Sequence, residues 1–505
     1  MIGLDRIPEV RTIRNKIKIL SRNNQPQRWL DELSKQWMEQ NKELAGVLYI
    51  DGHQDVYYGK KQKIPRKYIS RMRLALSATT DYWVNDRLGQ PFFSITKTAN
   101  IGFIKVIKED IIPKLEKDVP NQPTQEKLSS DKYLHKFMLI YDREGYSNDF
   151  MLDMWKKRIA CSTYNKYVKE EWNREEFKEY EIENEYGEKE IIKLAERGVL
   201  IEGKETEKLS EPQIVITSEQ TNNKNNIKIK KKYTRKKRQL FIREVRRLTE
   251  TGHQTSIKST NYKFSIINIG VYMFARWRQE NFFKYMMQNF NIDTLISYFN
   301  NKIDDNTMVI NPKWREADKK VRRLNVKMKK LKEKFGDLNY KNQFYDEKDE
   351  KKIKKFEDKK SKMQEDISIY EKELETLKQQ RKNIIRSIKF SELAEDEKFQ
   401  HVHNERKQFI DTIKLIAVRS ETSLVSIIKP HMTKPKEARS LITQFFKSNA
   451  DITVNRGKGI LNIWLHHQAT RREDKILEIL CKELNKTKTI FPGTNLIINY
   501  QIIKK

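Results

Sequence analysis

Three carboxylates stand at positions from which they can act together. The stretches "LYIDGH" and "LIYDREG" are short apolar runs that each close on an aspartate, Asp51 and Asp142. The stretch "ARWRQENFFKYMMQNF" (275–290) carries one acid, Glu280, among Arg276, Arg278, Lys284 and large aromatic side chains. Apolar runs rich in Leu, Val, Ile and Tyr read as central strands. A strand end suits a ligating carboxylate, because backbone pairing fixes the Cβ direction while the tip reaches a cleft. Strands that end side by side in carboxylates converge on one place, and oxygen ligands there suit hard divalent cations such as Mg²⁺ or Mn²⁺. Two such cations about 3.5–4 Å apart suit in-line displacement at a phosphodiester. Three carboxylates are the usual minimum, which makes Glu280 the candidate third member. Each residue alone has a plainer reading: a strand-end aspartate forms a turn or caps a helix, and Glu280 pairs with Arg276 one helical turn away.

The elements that must position these groups follow from periodicity. Residues 1–45 place apolar side chains at helical spacing in "VRTIRNKIKIL" and "PQRWLDELSKQWMEQN". A strand then ends at Asp51, with "DVYYGK" and "PFFSITKT" as its antiparallel neighbours. "IGFIKVIKEDIIPKLEK" (101–117) is a helix kinked near its end by Pro113. A second strand ends at Asp142, "NDFMLDMWKKR" is the helix after it, and "IACSTYN" is another strand. Residues 168–258 form an insertion with β-like pieces, and its basic stretch "KIKKKYTRKKRQLFIREVRR" holds eleven basic residues against the single acid Glu244. The chain returns to the core over 259–310, where "STNYKFSIINIGVYMFARWRQENFFKYM" leads into one long helix bearing Glu280. Apolar residues spaced three and four apart on both sides of "NYKNQFYDEKDEKK" predict a long helical hairpin or coiled coil over 311–390. Residues 391–505 read as a helix followed by a small α+β region.

Composition points the same way. The chain has 505 residues, 34% of them charged, and 102 Lys+Arg against 70 Asp+Glu leave a formal charge of +32. Such an excess implies a polyanionic partner, and nucleic acid fits better than a membrane surface. No apolar run is long enough to span a bilayer. The opening "MIGLDRIPEVRTIRNK" lacks the apolar core of a secretory signal. Two cysteines, Cys161 and Cys481, fit a reducing cytoplasm and exclude a disulfide framework.

From Leu48 to Tyr285 the chain resembles the DDE transposases of bacterial insertion sequences. The resemblance rests on "LYIDGH", "ATTDYWVNDRLGQPFF", "LIYDREGYS" and "GHQTSIKSTN…ARWRQENFFKY". In one large group of these enzymes the glutamate lies on a helix in a Tyr-x2-Arg-x3-Glu-x6-Lys signature. Arg276 and Glu280 match its Arg and Glu, whereas Tyr272 stands one residue too early and Met287 occupies the lysine place. Asp142 and Glu280 are 138 positions apart, as a β-rich insertion before the last acid would require.

The resemblance implies an α/β fold built on an RNase H-like mixed sheet flanked by helices, with its first core part at 46–167. It implies Asp51, Asp142 and Glu280 as catalytic metal ligands for two Mg²⁺ or Mn²⁺ ions, and metal-dependent DNA cleavage with strand transfer at transposon ends. The partners would be transposon ends and target DNA, and the location the bacterial cytoplasm near the nucleoid; the helical hairpin would either make a homodimer, which suits the pairing of two transposon ends, or fold back on itself. Arg276 and Lys284 are candidate DNA contacts. So are Lys231, Lys232, Tyr233, Arg235, Lys236, Lys237 and Arg238 of the basic stretch, with the tyrosine available to stack. His53, Arg143, His253 and Asn261 are candidate supporting residues, each with a structural alternative as hydrogen bonder, loop solvation or edge packing. Asp81 and Asp86 read best as turn caps. Two other functions compete: a structure-specific nuclease on the same fold, and a non-catalytic DNA-binding protein, the latter because only a short helical segment precedes the first strand.

Overall fold

The computed structural model describes the chain apart from residues 1–8, 60–63, 71, 99–100, 167, 169, 184–188, 208–213, 216–229, 232–233, 294–299, 302–304, 307, 343–349, 395–397, 399–400, 403–404 and 504–505. It falls into two units: Met1–Tyr58 with Pro65–Tyr298 and His403–Lys505, and Gly59–Ile64 with Phe299–Val402.

The first unit is a mixed α/β structure around one large sheet. Its strands are β1 (Val47–Val56), β2 (Arg66–Ile69), β3 (Leu74–Asn85), β4 (Pro91–Thr98), β5 (Met138–Tyr141) and β6 (Ala160–Tyr164). They continue with β7 (Lys178–Glu183), β8 (Lys189–Glu207), β11 (Thr234–Leu248) and β12 (Gln254–Ser259), while the short β9 (Ile214–Val215) and β10 (Lys230–Lys231) pair only with each other. Strand β3 carries β1 on one edge and β4 on the other, both antiparallel, and β2 pairs its opening residues. From β1 the sheet runs on through β5 and β6, which are parallel to it. Beyond them β12, β11, β8 and β7 extend the same sheet, all antiparallel. Strands β7, β8, β11 and β12 therefore prolong the central sheet.

Two of the expected strand limits need correction. Strand β1 does not end at Asp51: "DGHQDV" stays paired with β3 as far as Val56↔Ala78, so Asp51 lies inside the strand. "DVYYGK" is the end of that strand, and its antiparallel neighbour is β3. The polar residues after Asp51 suggest a strand end to a reader of the sequence, but their side chains find buried partners.

The helices are α1 (Val10–Leu20), α2 (Gln25–Gln40), α3 (Phe103–Val106), α4 (Ile112–Asp118), α5 (Gln125–Ser130), α6 (Asn148–Lys156), α7 (Ile266–Phe274) and α8 (Trp277–Phe290). A π-helical turn, Ile107–Ile111, joins α3 to α4 ahead of Pro113. Proline has no N–H to give to the carbonyl one turn back, and a wider turn absorbs that mismatch. The expected long helix after Phe264 is two helices. At Ala275–Arg276 the amides of Arg278 and Gln279 take carbonyls three residues back, and the axis breaks there.

Alternation along β1 divides the core. Leu48 and Ile50 join the cluster that includes Phe103, Phe150 and Leu139, whereas Val47 and Tyr49 join the one that includes Ile257, Ile269 and Met273. In the C-terminal part, α11 (Glu405–Ile428) contributes Leu415 and Val418 to the first cluster. The sequence placed this helix in a separate C-terminal region, but it completes the main core. After it come α12 (Ala438–Lys447), α13 (Arg471–Lys486) and a three-stranded sheet, β17 (Ala450–Asn455), β18 (Ile460–Leu465) and β19 (Ile497–Ile502).

In the second unit, α9 (Pro312–Asn342) and α10 (Glu350–Asn383) pack on each other as the expected hairpin, with Val321, Leu324, Met328, Tyr370, Leu374 and Leu377 as its seam. Lys332 bonds to Glu371 across it at 2.7 Å. The short strands β13 (Asn300–Asn301), β14 (Met308–Ile310), β15 (Ser387–Lys389) and β16 (His401–Val402) form two small pairs, β13 with β16 and β14 with β15.

Candidate active site

Asp51, Asp142 and Glu280 come from a strand interior, a strand end and a helix, and they meet at one guanidinium. Arg276 Nη1 lies 3.2 Å from Asp51 Oδ2, and its Nη2 lies 2.9 Å from Glu280 Oε1 and 3.9 Å from Asp142 Oδ1. The arginine side chain is 11% exposed, against 21% for Asp51, 41% for Asp142 and 51% for Glu280. The carboxylates therefore grade from the sheet floor towards solvent.

Local structure explains each placement. Ile50 pairs with Tyr141, so Asp51 and Asp142 emerge next to each other from the parallel strands β1 and β5. Asp142 opens a 3₁₀ turn, Arg143–Gly145, and its carbonyl accepts from Gly145 N at 2.9 Å. A Cβ on Gly145 would stand 2.5 Å from Tyr141 Cδ2 and 2.8 Å from Phe103 Cε1, so only glycine lets those two rings close on the turn. Helix α8 is held over the odd-numbered face of β1. Arg276, Glu280 and Phe283 follow at helical spacing, Arg276 donating to Asp51 and to Glu280, and Phe283 stacked on the His53 ring at 5.2 Å. Phe282 and Phe283 both pack edge-on against Trp83, which pairs with Asp51. The start of α8 is tied to the β3–β4 turn, where Arg278 Nη1 donates to the Arg87 carbonyl at 2.8 Å. That turn is closed by Asp86 Oδ1, which accepts from Leu88 N and Gln90 N, with Gly89 at φ +81°.

Burial pushes the Asp51 carboxyl up to about 6, against the pull of Arg276 and the Gly52 amide, and the charges of Asp142 and Glu280 add to the rise. Arg276 is shifted upward despite its burial, because Asp51, Asp142 and Glu280 favour its charged form. Three carboxylates this close repel one another, and the one buried guanidinium offsets part of that repulsion.

The same face of β1 continues into a second polar group. Asp55 lies four residues beyond Asp51, and Lys407 Nζ of α11 stands 3.1 Å from Asp55 Oδ2, 2.5 Å from Asp411 Oδ2 and in contact with Asp81 Oδ2. All four are fully or almost fully buried. Burial drives Asp55 and Asp411 upward; Asp81 ends below the ordinary range because the charge and hydrogen bond of Lys407 outweigh its burial. His53 Nε2 faces Asp55 Oδ1 at 3.6 Å, between the two groups. Sequence reasoning missed Lys407. Its one local signal, Asp411 four residues on, looks like an ordinary surface pair.

The other expected site residues lie as follows. Lys284 is exposed on α8, one turn beyond Glu280. Arg143 is exposed with its guanidinium 5.6 Å over the Tyr164 ring. His253 is exposed in the β11–β12 turn, bonded through its backbone to Thr249. Asn261 is buried; its Oδ1 accepts from Lys263 N and Phe264 N, and its Nδ2 faces Met138 Sδ at the opening end of β5, away from Asp142. Asp86 is the turn former expected of it, while Asp81 is the Lys407 partner within β3. Arg238 pairs with Asp153 at 2.7 Å. Lys231 lies on β10, and Arg235, Lys236 and Lys237 lie on β11 opposite Thr206, Glu205 and Lys204. Lys232 and Tyr233 lie outside the described residues. The two signature departures are used structurally: Met287 packs on the main core, and the Tyr272 carbonyl accepts from Tyr49 Oη at 2.7 Å.

A family model described as "Transposase protein" matches residues 1–222 and 206–504. The chain belongs to this transposase family. No curated protein matches it closely enough to count as a relative. A transposase acts on DNA, which accounts for the +32 charge. Among the described residues of this transposase, no helix is long and apolar enough to cross a membrane. Nor is any group of three His, Cys, Asp or Glu side chains among them arranged to hold a metal ion: at the carboxylate trio the guanidinium is interposed. The trio nevertheless fits a hard divalent cation by its chemistry. Its donors are all carboxylate oxygens, they come from three separate elements, and they already converge on one positive charge.

Proposed function

We propose that this transposase is of the DDE type, with an RNase H-like core, and that Asp51, Asp142 and Glu280 are its catalytic carboxylates. The observation that carries the reading is their convergence on Arg276 from β1, β5 and α8. The strand order β4–β3–β1–β5–β6, an antiparallel meander followed by two strands parallel to its first, supports the RNase H-like assignment.

Asp51, Asp142 and Glu280 would hold two Mg²⁺ or Mn²⁺ ions. Such a pair, when bound, activates an attacking water or 3′-hydroxyl and stabilises the leaving oxygen of the phosphodiester. The protein supplies the positioning. Asp51 is fixed by strand pairing, Asp142 by the Gly145 turn, and Glu280 by the aromatic packing of α8 on Trp83. Arg276 keeps the carboxylates together before cations arrive and presents positive charge to a phosphate, and exposed Lys284 extends that charge along α8. The reaction is hydrolytic cleavage at a transposon end followed by transfer of the freed 3′-hydroxyl to target DNA, performed by a homodimer in the bacterial cytoplasm near the nucleoid.

Nicking of a supercoiled plasmid in Mg²⁺ or Mn²⁺ tests the site. Purified wild type is expected to nick, and Asp51→Asn and Glu280→Gln to lose the activity by at least two orders of magnitude; undiminished nicking in both variants would refute the assignment. A product joining a donor 3′ end to plasmid distinguishes the transposase from a simple nuclease.

A further inference from the structure

The small sheet near the C-terminus packs one face on α12 and α13; on the other face Asp451, Thr453, Asn455 and Ile497 are exposed and the remaining positions are half-buried. Leu465, Tyr500 and Ile502 pack with residues of α12 and α13, so the covered face holds the odd positions of β18 and the even positions of β19. Cross-strand register then assigns the other face three rows: Asp451, Trp464 and Gln501; Thr453, Asn462 and Asn499; Asn455, Ile460 and Ile497. Side-chain contacts on that face agree with the assignment. Trp464 Nε1 donates to Thr453 Oγ1 at 3.2 Å, and Asn499 Nδ2 donates to Asn462 Oδ1 at 2.9 Å.

The composition of this face departs from that of the chain. With 34% charged residues, an ordinary solvated face of nine positions would carry about three charges; this one carries only Asp451, which pairs with His466 at the far end. The rest are amides, a hydroxyl, an indole and two isoleucines. The charge sits at the near end, where the β17–β18 turn exposes Arg456 and Lys458 around Gly457 and closes on Gly459 at φ +64°. Neither cation has an acidic partner among the described residues.

We propose that this face is a sequence-reading surface for duplex DNA. A major groove about 12 Å wide admits a two-stranded β-ribbon, and the paired strands β18 and β19 carry Asn462, Trp464, Asn499 and Gln501 as such a ribbon. Asn462, Asn499 and Gln501 present the amide pairs that recognise base edges, Trp464 and Ile497 give flat apolar contact, and Arg456 and Lys458 meet the phosphates at the groove's edge. The inference rests on the transposase reading for its choice of DNA, and it supplies that enzyme with a means of finding its ends apart from the carboxylate trio.

The test uses the full chain and a pool of randomised 30-base-pair duplexes, selected by binding and sequenced. Wild type is expected to enrich one motif, and Asn462→Ala with Asn499→Ala to lose that enrichment roughly tenfold or more. Arg456→Ala with Lys458→Ala is expected to weaken binding to all duplexes and to lower the slope of log K against log salt by about 2. Far-UV circular dichroism of both variants should match wild type, since these side chains lie outside the packed clusters of the fold. Enrichment of the same motif by the asparagine variant overturns the proposal, as does equal competition by duplex RNA of the selected sequence. Loss of motif reading with circular dichroism unchanged supports it. Absence of nicking in wild type with motif reading intact refutes the active-site assignment alone.

Discussion

Replacing Lys407 by methionine leaves a buried acidic group without its cation, and the cost can be worked from the geometry. The ammonium is fully buried and touches carboxylates from two strands and its own helix: Asp55, Asp81 and Asp411. Burial drives Asp55 and Asp411 towards their neutral forms while Asp81 is held below the ordinary range, so the lysine chiefly compensates Asp81. Methionine fills nearly the same volume, and the loss is therefore electrostatic. Removing one partner of a buried ion pair costs about 3–5 kcal/mol. At about 2–4 °C per kcal/mol for a large folded unit, the melting temperature of Lys407→Met should fall by about 6–20 °C near neutral pH. The deficit should shrink as pH falls, because protonation removes the uncompensated charges. Asp81→Asn and Asp411→Asn added to Lys407→Met should recover most of the loss. Thermal unfolding followed by circular dichroism at pH 7 and pH 5 measures all three. A fall below about 2 °C in the single variant, or no recovery in the triple one, would refute the view that Lys407 joins α11 to the sheet electrostatically.

Further predictions concern the trio. The Asp51 carboxyl is raised by the fold from 3.8 to about 6, so its neutral form is favoured below that pH and its ionisation opposes folding above it. Calorimetric Mn²⁺ binding should accordingly strengthen from pH 5 to pH 7 with release of a proton, and pH-independent binding would contradict this. Gly145→Ala should lower nicking at least tenfold with little loss of secondary structure, because the new methyl meets Tyr141 and Phe103 and displaces Asp142. Arg276→Gln should raise the pH at which Asp51 ionises, read by ¹³C NMR of labelled aspartate, since Arg276 is the charge that holds it down.

How much the sequence reveals depends on the range of each interaction. The Arg276–Glu280 pair is one helical turn long and is evident from spacing alone. That the same guanidinium reaches Asp51 across 225 positions is a tertiary fact, and only the strand-end pattern of Asp51 and Asp142 hints at it. Polarity misled where burial overrode it. His53 and Asp55 look like a strand's exit to solvent, yet they stay in β1 because Phe283 and Lys407 meet them there. Lys407 itself was hidden, since a Lys–Asp pair four apart on a helix has the same appearance on a surface as in a core. The α7–α8 break was equally invisible, because no glycine or proline marks Ala275–Arg276.

The most direct test of the central claim is a strand-transfer assay with a labelled donor end bearing a 3′-hydroxyl and a supercoiled target in Mg²⁺. Joined product is expected with wild type, and none with Asp51→Asn, Asp142→Asn or Glu280→Gln, each still retaining the donor in a gel-shift. Joined product from any of the three variants at the wild-type rate would contradict it.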